Sequence, residues 1–191
     1  MKMSPQSYHQ DKLHATEVYL SRKSIVYYFH KAANDPTYRE KLGHHYLESE
    51  HQELSDATKE GFNRWIRCLH QNLSIRTRYV YGQPYPSSEE MAAKVKEMGV
   101  LEISVDYNDP VVLTPAANLL FRALHDVHHI LLKAPFSWEG ELTACRYFCR
   151  LTKNPIFHRI LFSEIALQAA ANVALGGKFP DAQKLVLSLH E

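Results

Sequence analysis

The chain has 191 residues, 45% of them hydrophobic and 23% charged, and 22 Lys and Arg nearly cancel 21 Asp and Glu. These values fit one ordinary globular domain able to bury a core without staples, and they exclude a polyanionic partner recruited by net charge alone. No apolar run approaches the roughly 18 residues that a membrane-crossing helix needs, and the N-terminal stretch through Glu17 carries no signal-peptide-like apolar segment, so a cytoplasmic protein is expected.

In chain order, residues 7–33 are predicted as a first helix, with Leu13, Val18, Tyr19, Ile25, Val26 and Phe29 on its apolar face. Asn34-Asp35-Pro36 stops it, and Asp35 and Pro36 suit the cap and first turn of a following helix. Residues 36–73 form one or two helices, with a break or a close packing point at Gly61. Thr77–Tyr81 favours a strand, residues 88–98 a helix capped by Ser87 or Ser88 and ended by Gly99, and Leu101-Glu102-Ile103-Ser104-Val105 alternates as a half-buried strand. Thr114 and Pro115 open a helix to about residue 133. Further helices are predicted at 138–152, 156–175 and 180–189. The fold class expected is mainly α, a helical bundle-like domain with a small two-stranded β element. It reads as a single domain over 1–191, with a helical part, 1–74, packed on 75–191.

Three cysteines, Cys68, Cys145 and Cys149, make no disulfide framework and read as free thiols in a reducing compartment. Histidine is the abundant reactive type, with 12 in the chain. In the helix 115–133, Leu113, Ala117, Leu120, Leu124, Val127 and Leu131 form an apolar stripe, and Asn118, Arg122, His125 and His129 a neighbouring polar one. His125 and His129, four apart, have the spacing with which one helix offers two imidazoles to one ion. His128 lies nearer the apolar side, and Asp126 can serve as a ligand or orient an imidazole. The same polar stripe also suits a solvated helix face.

Glu141 opens the next helix. If the two helices are antiparallel neighbours, the short connection brings Glu141 to His129, and two imidazoles with a carboxylate leave a coordination position for water on zinc, iron or manganese. Cys145, one turn along, is either a buried thiol or a further group at that site. Glu139 suits a cap. Glu164, Gln168 and Asn172 form a polar line on an otherwise apolar helix, which is either a solvent face or a buried line in need of partners.

The stretch from Gly82 to Gln168 resembles an uncharacterised family of bacterial and phage-associated proteins. The resemblance rests on Phe121-Arg122-Ala123-Leu124-His125-Asp126 and Gly140-Glu141-Leu142-Thr143-Ala144. Looser agreement comes from Ser88-Glu89-Glu90-Met91-Ala92, from Gly99–Ser104, and from Ser163-Glu164 with Gln168. In that family the second histidine follows a Phe-Gly pair, whereas this chain has Val127-His128-His129-Ile130. The resemblance implies a functional site here and names no reaction.

Three functions compete. The first is a metal-dependent hydrolase acting on a small-molecule or phosphate-containing substrate. His125, His129 and Glu141 would hold a divalent ion, Asp126 or Glu164 would accept a proton from water, and Arg122 would steady developing negative charge. The second is a carboxylate-bridged two-metal protein, drawing on Glu48 and His51 with Glu17, Glu141 or Glu164. The third is a non-enzymatic interaction or nucleic-acid accessory protein using Arg64, Arg67, Arg76 and Arg78 with Trp65, Tyr79 and Tyr81.

Overall fold

The computed structural model describes residues 24–189. Of the predicted first helix it describes only α1 (Ile25–Asn34), whose first turn is capped by Ser24. Leu13, Val18, Tyr19 and the candidate carboxylate Glu17 lie outside the described residues. Ile25, Tyr28, Phe29 and Ala32 face the core, whereas Val26, expected on the apolar side, is 67% exposed. Asp35 accepts from the Thr37 N–H and Pro36 occupies the first turn of α2 (Pro36–Glu48), as predicted. Ser55 caps α3 (Asp56–Gln71). The chain therefore breaks at 49–55 and not at Gly61, which lies inside α3.

The two strands, β1 (Arg76–Val80) and β2 (Val100–Ser104), pair in parallel with Thr77 opposite Leu101 and Tyr79 opposite Ile103. A parallel pair requires a crossover, which α4 (Ser88–Met98) supplies. Two strands alone are marginal in water. Here Leu101 and Ile103 pack with Tyr85, Met91 and Ala123 into a small core that fixes this unit onto α5 (Pro115–Leu132).

α5 also packs against α3 and α6 (Trp138–Arg150). Covered on both sides, it buries a broad arc: Ala117, Phe121 and Leu124 on the main core, Ala123 on the smaller one, and the polar Asn118, His128 and His129. Leu131, expected on the apolar stripe, is 64% exposed, and His129 is fully buried. The polar stripe is thus not a solvated face.

The last long helix is α7 (Pro155–Leu161), a π-helical turn (Phe162–Leu167) and α8 (Gln168–Ala174) in continuous succession. The predicted helix at 180–189 is absent: residues 183–189 form no helix or strand and bury Leu185, Val186 and Leu187. Their backbone N–H groups are satisfied by His51 Nδ1, Ser163 Oγ and Gln52 Oε1 in turn. Three consecutive apolar residues can all be buried in a non-helical strap because those side chains replace the hydrogen bonds a helix would have supplied.

Candidate metal centre

The centre is assembled where α5 hands over to α6. Lys133 takes a left-handed conformation (φ 50°) just past α5, and the Ala134 N–H donates to the His129 carbonyl at 3.0 Å. This closes the helix and turns the chain back. Ser137 then caps α6 by accepting from the Gly140 N–H, which puts Glu141 in the first helical turn. Gly140 packs so tightly on the turn that a Cβ there would stand 1.8 Å from the Pro135 carbonyl oxygen. The absence of a side chain at residue 140 sets the start of α6 against the end of α5.

Glu141 consequently faces His125 and His129. Its Oε2 lies 3.0 Å from His125 Nε2, its Oε1 lies 3.4 Å from His129 Nε2, and the two Nε2 atoms are 3.3 Å apart. Metal–ligand bonds of about 2.0–2.1 Å place tetrahedral ligand atoms roughly 3.3–3.4 Å from one another. The three separations lie close to that spacing. Among the described residues, this is the only group of three or more His, Cys, Asp or Glu side chains arranged to hold an ion.

The ring orientations suit the same task. His129 Nδ1 lies 3.0 Å from the Ala134 carbonyl oxygen, which can only accept, so Nδ1 donates there and Nε2 faces the centre. His129 is buried beneath Phe136, whose ring packs edge-on at 5.1 Å, and Phe121 stacks beside His125. His125 Nδ1 faces Asp126 Oδ1 at 4.0 Å, and the His125 and Glu141 side chains retain 18% and 20% exposure. Of the three candidate ligands, His125 and Glu141 form the side nearer solvent.

The charges are strongly coupled. Burial alone would raise the Glu141 pKa, but His125 and His129 overcome it and hold the carboxyl at about 2. Burial alone would lower the His125 pKa, but the Glu141 charge and hydrogen bond, with Asp126, raise it. Asp126 is pushed up to about 6 by burial, with Glu141 adding to the rise and His125, His129 and Arg122 opposing it.

The other candidate residues sit elsewhere. Arg122 is a clamp on the segment after β2: it donates to the carbonyls of Ser104 and Asp106 at 2.8 Å and of Tyr107 at 3.0 Å. His128 points into an aromatic pocket between Tyr147 and Phe148, and burial lowers its pKa to about 3. Cys145 is buried and donates to the Leu161 carbonyl, with its thiol pKa raised by burial. Glu164, in the π-helical turn, accepts from Gln168 at 3.0 Å, and its other oxygen is buried without a partner. Glu48 is exposed, while His51 accepts from the Leu185 N–H and contacts Glu53, so neither joins the centre. The arginine–aromatic patch is divided. Trp65 packs among Phe62, Phe148 and Phe157, Arg64 pairs with Glu60, and Arg78 pairs with Glu102.

Two contributors have no signature in the sequence: the Ala134 carbonyl, a backbone group, and Phe136, which resembles any loop aromatic. Fold and site together define a mainly helical protein with a His/His/Glu cluster able to coordinate a metal ion. Comparison with family models, curated proteins and solved structures found no match. No helix among the described residues is long and apolar enough to cross a membrane.

Proposed function

We propose that the protein is a metal-dependent hydrolase with one divalent ion, zinc, iron or manganese, held by His125, His129 and Glu141. The observation that carries the reading is the convergence of two imidazole nitrogens and one carboxylate, all three within 4.8 Å of one another. The ring bond to Ala134 turns His129 Nε2 toward Glu141, and loss of the protons that the carboxylates hold on the imidazoles would leave three acceptors facing one point, which suits a cation. A three-residue ligand set leaves a coordination position for water, and the ion would supply Lewis acidity and lower the pKa of that water. Asp126, on the Nδ1 side of His125, can orient that imidazole, and it is the carboxylate proposed to take the water's proton. The segments that carry the sequence resemblance, Phe121–Asp126 and Gly140–Ala144, supply His125 and Glu141. The substrate is a small molecule with a phosphoryl or carbonyl centre.

The test is elemental analysis of natively purified protein beside the His125→Ala/His129→Ala variant, followed by assays of the metal-loaded protein on phosphomonoesters, phosphodiesters and carboxylic esters. About one ion per chain, lost in the double variant, with hydrolysis reduced roughly 100-fold or more in Asp126→Asn, supports the reading. Failure to retain any ion after supplementation with all three metals under reducing conditions overturns it. About two ions per chain would favour the carboxylate-bridged alternative, which Glu48 and His51 do not support by position.

A further inference from the structure

On the side of α6 opposite Glu141, a cleft of about 550 Å³ opens between α6 and the α1–α2 pair. That volume falls in the range of small-molecule sites. Its floor is apolar: Trp138 and Leu142 are buried there, and Tyr147 closes one side. Its rim is cationic. Arg146 and Arg150 are successive turns of α6, and Arg39 faces them from α2.

The rim charges are available for a ligand. Among the described residues, no carboxylate pairs with Arg39, Arg146 or Arg150. Arg146 is steadied by the Phe29 carbonyl at 3.3 Å and by the Phe29 ring, contacts that orient its guanidinium without neutralising it. Two acids also line the cleft; their bonds to uncharged donors leave their charge in place, and the three guanidiniums outnumber them by one. Asp35 accepts from the Thr37 N–H and hydroxyl at 2.9 and 2.8 Å, and Glu139 accepts from the Ser137 hydroxyl at 3.0 Å. Three guanidiniums above an indole and an aliphatic floor are complementary to an anionic headgroup joined to an apolar body. Arginine forks match phosphate and carboxylate, and the floor offers apolar area that an inorganic ion would leave unused.

We propose that this cleft binds a small amphiphilic anion: a phosphate or carboxylate gripped by Arg39, Arg146 and Arg150, with its alkyl or planar ring portion laid on Trp138 and Leu142. The site is separate from the metal centre and does not depend on the hydrolase reading.

The experiment is titration of the full chain, followed by calorimetry and by tryptophan fluorescence in a Trp65→Phe background, where Trp138 is the remaining indole. The probes are octyl phosphate, adenosine monophosphate, inorganic phosphate and octanol. Saturable binding of octyl phosphate or of the nucleotide at one per chain, with a change in Trp138 emission, is expected, and whichever binds names the body the floor accepts. The Arg39→Ala/Arg150→Ala variant should weaken that binding at least about tenfold, with metal content unchanged. Added salt should weaken it further. Equal binding by the variant, equal binding of octanol, inorganic phosphate matching both organic phosphates, or no binding at millimolar concentration would each overturn the proposal.

Discussion

The ring of His129 donates from Nδ1 to the carbonyl of Ala134, and the N–H of Ala134 donates back to the carbonyl of His129, each at 3.0 Å. Ala134 is thus tied to His129 twice, once through the ring and once through the backbone. The backbone bond ends α5, and the ring bond selects the imidazole nitrogen that meets Glu141. A candidate ligand is oriented by the same residue that reverses the chain toward its partner carboxylate.

Metal affinity should follow from this arrangement. His129→Ala is expected to weaken binding by at least about 100-fold, beyond what outer-shell changes cost, measured by competition with a chromophoric chelator. Affinity should rise with pH, because an ion must displace the proton that Glu141 and Asp126 help to hold on His125. An affinity independent of pH across the histidine range would show that His125 is not a ligand.

The metal-free protein should respond to pH in the opposite sense. With its folded pKa raised, His125 contributes stability that is full below the ordinary histidine value of 6.5 and is lost as pH rises through its folded value. Bound metal should remove that alkaline loss. Melting temperatures of apo and loaded protein from pH 5 to 9 provide the comparison.

Gly140 and Gly61 make a matched pair. An alanine at residue 140 meets Pro135 backbone atoms at 1.8 and 2.8 Å, whereas one at residue 61 finds only the Phe157 ring at 3.8 Å. Gly140→Ala should destabilise by about 2 kcal/mol or more and weaken metal binding by shifting Glu141. Gly61→Ala, inside α3, should stabilise by up to about 1 kcal/mol and leave metal binding intact. Urea unfolding with metal titration reads both.

Glu164 should make stability fall with rising pH. Burial raises its pKa to about 7 from 4.5, against a smaller lowering by Gln168. The protonated form stabilises the fold fully below 4.5, and that contribution is lost between there and about 7, where the unfolded chain has already released its proton. Glu164→Gln should flatten this window and raise stability at pH 8 by on the order of 2–3 kcal/mol, seen in the urea midpoint.

Arg122 should tolerate no lysine. Its two terminal nitrogens serve three carbonyls, and an ammonium cannot reproduce that fork. Arg122→Lys is expected to cost about 2–4 kcal/mol and to expose the segment 104–107 to proteolysis. Unchanged cleavage there would show that the clamp is dispensable.

Local chemistry explains what could be read directly from the chain. Asp35-Pro36 and Thr114-Pro115 cap helices because their side chains satisfy first-turn N–H groups wherever the helix later packs. The i, i+4 spacing put His125 and His129 on one face for the same local reason, and the short connection brought Glu141 within reach. What lay beyond the sequence depended on distant partners. Whether the polar stripe of α5 met water or core turned on α6 and on the strand–helix–strand unit covering both its sides. The tail's apolar run looks helical in sequence because Gln52, His51 and Ser163, the groups that hold its backbone, are remote in the chain. Arg122 looked like a catalytic cation because three backbone carbonyls leave no mark in a sequence. Residue types and spacings determine which side chains are able to meet; packing decided that His125, His129 and Glu141 do, and that Glu48, His51 and Glu164 do not join them.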